Sequence, residues 1–134
     1  MRRFSKAEFI PKTSFSIVVP FRNEKENLPN LLHSISLLNY PKELVEVILV
    51  DDDSDDEFRI QNLEFRIQII KNIRKSNSPK KDAIETAIKI ARNNWIITTD
   101  ADCLVQKNWL TTFDQYIQEN EVEMLASGVC YVPK

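Results

Sequence analysis

Glycine is nearly missing from this sequence: one residue, Gly128, in a chain of 134, against an average usage of about 7%. That excludes a glycine-rich phosphate loop, and it leaves the corners of the chain to be turned by Asn, Asp, Ser and Pro. Cysteine is scarce as well. Cys103 and Cys130 are the two present, and neither falls in a Cys-x-x-Cys or Cys/His spacing, so neither a structural zinc site nor a disulfide framework has support and a reducing, cytoplasmic setting is expected. Long apolar runs are missing too: no window approaches the ~20 residues of a membrane-spanning helix. Arg2 and Arg3 are not followed by the apolar stretch that a signal peptide carries. Nor is there an excess of positive charge. Eighteen Lys and Arg against 20 Asp and Glu leave a net charge of -2, which argues against nucleic acid as a partner, because its phosphates call for a clustered basic face. The single histidine, His33, lies near an apolar helical stripe and reads as a packing or surface residue. No Ser/His/Asp or Cys/His nucleophile arrangement is visible.

What is present points to a folded domain. Hydrophobic residues make up 43% and charged residues 28%, away from the composition of disordered chains, and 134 residues suit one domain spanning 1–134. Phe15 to Val19 is a short apolar run halted by Pro20, the pattern of a buried strand. Asn23 as cap with Glu26 three residues on predicts a helix start, and Leu28, Leu31, Leu32, Ile35 and Leu38 then recur at helical spacing up to Pro41. Val45 to Val50 reads as a strand covered on both faces, running straight into Asp51. Phe58 to Phe65 predicts a short helix or irregular segment, and Ile67 to Ile70 a third strand. Ser78-Pro79 is a cap and first-turn proline for a helix with Ala83, Ile84, Ala87, Ile88 and Ala91 on one face. Trp95 to Thr99 predicts a fourth strand, Trp109 to Ile117 a helix, and Met124 to Val132 a last strand. Such alternation specifies an α/β fold with an open, mostly parallel, Rossmann-like sheet and helices on both faces. Ligands of these sheets bind beyond the carboxyl ends of the strands.

Three polar loops fall at those ends: Pro20-Phe-Arg-Asn-Glu24, Asp51-Asp-Asp-Ser-Asp-Asp56 and Asp100-Ala-Asp102. Any one alone reads as a solvated turn; three at equivalent topological positions read as a site. In extended backbone, residues i and i+2 face the same way, so Asp100 and Asp102 could address one ion, or one of them could simply cap the helix at Trp109. Magnesium or manganese suits the pair, with a diphosphate as natural co-ligand. The Asp51 to Asp56 cluster fails as a calcium loop, because Asp56 stands where the turn glycine belongs and Asn62 where the bidentate glutamate belongs. A phosphate-accepting receiver pocket lacks its later lysine. Carboxylates that accept hydrogen bonds from a base N–H or ribose hydroxyls fit Asp51 and Asp52 better. Lys80 and Lys81 open a helix, where an amino terminus and positive charge attract phosphate; exposed surface lysines are the plainer alternative.

In order and spacing, Ile17-Val-Val-Pro-Phe-Arg-Asn-Glu24, Val50-Asp-Asp-Asp-Ser54, Lys80-Lys-Asp-Ala-Ile84 and Thr99-Asp-Ala-Asp102, followed by Trp109-Leu110, resemble a family 2 glycosyltransferase. The likeness is to the amino-terminal part, of the type-A nucleotide-diphospho-sugar fold, and runs from Phe15 to about Val132. It implies that Pro20, Arg22 and Glu24 border the nucleoside, with Arg22 in a place often held by tyrosine and able to stack through its flat guanidinium. Asp51 and Asp52 would recognise uracil or ribose, Lys80 would lie near the diphosphate, Asp100 would reach ribose or metal, and Asp102 would be the main ligand of Mg2+ or Mn2+. The glycines usual after the paired acids and before the lysine are Asp53 and Pro79 here.

The expectation is a glycosyltransferase module that binds a nucleoside-diphosphate sugar, a UDP-sugar first, for inverting transfer to a glycan, lipid or protein acceptor. Its catalytic base is expected beyond Lys134, as part of a longer enzyme whose further segments would attach it to the cytoplasmic face of a membrane. Two alternatives are a non-catalytic nucleotide-binding or regulatory domain of the same fold and a nucleotidyltransferase. The paired Asp100 and Asp102 favour transfer over the first, and the lack of a glycine-rich activation loop disfavours the second.

Overall fold

A computed structural model describes residues 10–60 and 63–120. Its strands are β1 (Phe15–Phe21), β2 (Val45–Asp51), β3 (Arg66–Lys71) and β4 (Trp95–Thr98). Its helices are α1 (Leu28–Ser36), α2 (Pro79–Ile88) and α3 (Trp109–Asn120), with a single 3-10 turn at Lys42–Leu44 before β2. The four strands form one sheet in the order β3-β2-β1-β4, and every pair is parallel. Among the described residues no helix is long and apolar enough to cross a membrane.

Alternation along the central strands explains their continuous apolar runs. Successive side chains point to opposite faces, so Phe15, Ile17 and Val19 of β1 and Val45, Val47 and Leu49 of β2 join Leu28, Leu31, Leu32 and Ile35 of α1 and Trp109 and Leu110 of α3 in one core. Val18, Ile48 and Val50 point the other way and pack on Ala83 and Ala87 of α2. Alanines at that contact let the helix backbone come close to the sheet. Two polar clusters lie away from the carboxyl edge. Glu46, 2% exposed, accepts from Ser16 Oγ at 2.7 Å and the Arg92 N–H at 2.9 Å. Asp114, fully buried, accepts from the Lys12 and Thr13 N–H groups and ties the segment before β1 to α3.

The structure corrects both ends of the first helix. The first helix begins at Leu28, with Asn27 as cap and no side-chain cap bond, and it ends at Ser36 rather than running to Pro41. Asn23 is not its cap, because its backbone is left-handed (φ 54°) and its side chain is used by another loop. No helix forms among the described residues between Phe58 and Phe65. Phe58, Leu63 and Phe65 each pack on the core from irregular backbone, the second of the two forms expected for this segment. The expected strand at Met124 to Val132 lies outside the described residues.

Candidate active site

A parallel sheet gathers the carboxyl ends of its strands on one edge, and here the register is close. Pro20 pairs with Val50 and Phe21 with Asp51. The Asp52 N–H donates to the Phe21 carbonyl at 2.8 Å, and the Thr99 N–H donates to the Val18 carbonyl at 3.2 Å. All three polar loops therefore leave the same rim. Strand order reverses at β1, which has β2 on one side and β4 on the other, so the crevice expected of such sheets falls beyond the carboxyl end of β1, between the loop that carries Arg22 and Glu24 and the turn of Asp100 and Asp102. Pro20 is half-buried inside β1, which continues through it to Phe21. Arg22 is exposed, and half-buried Glu24 accepts from Asn27 Nδ2 at 2.7 Å.

The paired acids divide their work. Asp51 turns inward on its own loop, its Oδ1 accepting the Ser54 N–H at 2.9 Å. Asp53 between them is left-handed (φ 61°), the conformation a glycine would take, and Asp and Asn are the residues that best replace glycine there. Asp52 is buried, 9% exposed, and held by residues that sequence reasoning had missed. Asn72 Nδ2 donates to it at 3.0 Å and also to the Pro79 carbonyl at 3.0 Å. Arg74 Nη1 lies 3.4 Å from its Oδ2. Arg74 Nε in turn lies 3.5 Å from Asp82 Oδ2. Asp82, 1% exposed, is the firmest anchor: its carboxylate accepts the N–H groups of Lys75 and Ser76 at 2.9 Å each and Ser76 Oγ at 2.9 Å. Those backbone bonds hold its carboxyl at about 2, well below the usual 3.8. Asn72 and Arg74 follow β3, the one strand whose end carries none of the three polar loops, so no pattern marked them.

The amino terminus of α2 completes the rim. Ser78 caps it as expected, its Oγ accepting the Lys81 N–H at 3.3 Å, and Pro79 occupies the first turn. The cap uses an N–H that could otherwise meet an anion, which leaves Lys80's ammonium as the stronger feature. Lys80 Nζ is 3.2 Å from Asp100 Oδ1, with both side chains 58% exposed. Lys81 shares the first turn and is exposed.

Asp100 and Asp102 do converge, though not by the route expected. The segment is not extended: the Cys103 N–H donates to the Asp100 carbonyl at 3.2 Å, closing a turn at Asp100-Ala-Asp-Cys103. Within that turn, ligand atoms of Asp100, Asp102 and Cys103 lie within 4.8 Å of one another. The two exposed carboxylates supply the hard oxygen donors that Mg2+ or Mn2+ prefers, whereas sulfur does not suit such an ion. A cationic group, Lys80's ammonium, already rests against one of them, so the residues fit a divalent ion. Ahead of the turn, Thr99 Oγ1 is buried without a hydrogen-bond partner.

The all-parallel sheet, the acidic rim, the lysine at a helix start and the paired-aspartate turn together define an open α/β domain with a polar site at the carboxyl edge of its sheet. Residues 16–132 match the family model for Glycosyl transferase family 2, and the chain belongs to that family. Among curated relatives, the poly(ribitol-phosphate) beta-N-acetylglucosaminyltransferase TarS of Staphylococcus aureus is 27% identical over 122 residues, covering 83% of this chain and 20% of TarS. The human polypeptide N-acetylgalactosaminyltransferase 10 is 30% identical over 118 residues, covering 84% of this chain and 19% of that enzyme. The chain thus spans about a fifth of the length of these relatives. The crystal structure of S. aureus TarS in complex with UDP-GlcNAc matches with a TM-score of 0.67 and 26% identity over 81% of this chain and 32% of that one. A Pyrobaculum calidifontis mannosyltransferase in complex with GDP-Man and Mn2+ shares the fold, with a TM-score of 0.66 at 19% identity, over 85% of this chain and 34% of that one.

Proposed function

We propose that this chain is the donor-binding part of a glycosyltransferase that takes a UDP-sugar with Mg2+ or Mn2+ and serves inverting transfer. The observation that carries the reading is the meeting of Asp52, Lys80, Asp100 and Asp102 around one rim, tied together by Asn72 at Pro79 and by the Lys80 to Asp100 ion pair. TarS, a relative with a UDP-GlcNAc complex, supports UDP as the nucleotide, and the Mn2+ complex in the same fold supports a metal.

Each residue's part follows from its chemistry. Uracil presents an N–H between two carbonyls. A carboxylate beside a guanidinium, Asp52 with Arg74, offers an acceptor for the first and a donor for the second. Asp51, fixed by Ser54, would accept from ribose hydroxyls. Arg22 is exposed at the rim and would cover the base with its planar face, while Pro20 and Glu24 would shape the near wall. Lys80 would leave Asp100 for the diphosphate, which frees Asp100 to join Asp102 at the ion. When bound, the ion would stabilise negative charge on the departing nucleoside diphosphate as a Lewis acid. No residue of this chain is assigned as the base that activates the acceptor. The acceptor class, a catalytic base in further sequence and an attachment to the cytoplasmic face of a membrane belong to the same proposal.

Calorimetric titration of UDP with and without Mn2+ tests it. Binding is expected to need the metal and to weaken by about tenfold or more in Asp102→Ala, since losing even a residue that only supports a metal ligand typically costs about 10- to 100-fold in metal affinity. Equal affinity in metal-free buffer would remove the ion from the reading, and no binding under either condition would remove the nucleotide.

A further inference from the structure

Resting on the nucleotide-binding reading, we propose that Asn23 is a positioning residue that clasps the β1 loop to the β2 loop and so sets the gap in which the nucleoside sits. Its Oδ1 accepts the N–H groups of Asp55 at 2.7 Å and Asp56 at 3.3 Å. Its own N–H donates to Ser54 Oγ at 2.9 Å. Two residues further on, the Lys25 N–H donates to Asp56 Oδ2 at 3.2 Å. Every one of these bonds crosses from one loop to the other, spanning 31 to 33 residues of sequence.

The clasp lies where it can matter. Arg22 and Glu24 flank Asn23 in sequence, and Asp51 and Asp52 lie just before the residues it holds. Asn23 and Asp53 are the two non-glycine residues with positive φ among those described, one in each clasped loop. Backbone in that region persists only where its surroundings hold it, and here each loop holds the other. Asn23, Asp53 and Asp55 are exposed, so the clasp buries little apolar surface and the sheet does not depend on it. Ser54 belongs to both halves: its Oγ receives Asn23, and its N–H holds Asp51. Releasing Asn23 would leave the residues expected to border the base attached to mobile loops, and the nucleotide would have to order them on binding.

UDP titrations with excess Mn2+ on the full chain, beside thermal melts, distinguish positioning from a structural role. Asn23→Ala loses both the acceptor and a side chain suited to left-handed backbone; Asn23→Gly loses the acceptor alone; Asn23→Asp keeps both. Kd is expected to rise about tenfold in the alanine variant and somewhat less in the glycine variant, with full stoichiometry and little change in melting temperature, because ordering the rim is charged to binding. Asn23→Asp should return to within about threefold of the parent chain on the same ground. Parent-like Kd in Asn23→Gly overturns the clasp, as does a fall in stoichiometry at constant Kd, which would mark mere unfolding. Should the alanine variant not fold, Asn23→Gly with Asn23→Asp decides alone. A parent chain that fails to bind UDP overturns the nucleotide reading and the clasp with it, whereas normal parent binding with unaltered variants overturns only the clasp.

Discussion

Asp82 shows how a buried carboxylate can be structural in a site full of functional ones. It takes no part in the expected chemistry, yet it organises the turn of Lys75 and Ser76 and steadies Arg74, which in turn faces Asp52. Its carboxyl is held at about 2 by those backbone N–H groups. A folded-state value below the unfolded one gives stability that is present above the unfolded value and lost as pH falls through the folded one. The window therefore runs from about 4 down to about 2. Asp82→Asn would keep one oxygen for the two backbone N–H groups but lose the negative charge beside Arg74 and the second acceptor used by Ser76 Oγ, so it should destabilise the chain at neutral pH and flatten the acid limb of the stability curve in that window. Denaturant unfolding followed from pH 7 to pH 2 checks both.

At the level of elements, α2 carries the most information. Its start was legible because Ser78 and Pro79 are local signals whose geometry depends on few neighbours, and the structure has Ser78 accepting the Lys81 N–H. Ser78→Ala should cost about 1 kcal/mol, the usual worth of such a cap, read as a lowered denaturant midpoint with unchanged slope. β1, β2 and β4 were legible for a similar reason, each being a short apolar run with polar residues close behind, although β1 continues through Pro20 to Phe21. The rim's loops were legible in composition but not in shape. Asn23 satisfies a capping pattern with Glu26, yet its side chain finds the N–H groups of Asp55 and Asp56 instead. Asp100 and Asp102 meet through a turn rather than along a strand. The first outcome is decided by partners some 30 residues away, which spacing does not encode, and the second by a local backbone turn that an Asp-x-Asp pattern fits as well as it fits a strand. Asn72 and Arg74 were invisible for the first of these reasons, since what makes them matter is Asp52, about 20 residues earlier.

For the whole molecule, the sheet divides the labour between its faces. Larger side chains from α1 and α3 fill one side; on the other, α2 rests on Val18, Ile48 and Val50 through Ala83 and Ala87. Lys80 rides on the first turn of that same helix, about 10 Å along its axis from Ala87. The helix acts as a lever with its fulcrum in the core. Ala87→Leu would add volume at a fully buried contact and cost roughly 1 to 3 kcal/mol by overpacking, but the helix would accommodate it partly by lifting from the sheet and carrying Lys80 away from Asp100. Nucleotide affinity, measured by calorimetry on the still-folded variant, should then fall although no residue expected to touch UDP has changed. The thickness of one alanine layer sets the reach of a charged group two helical turns away.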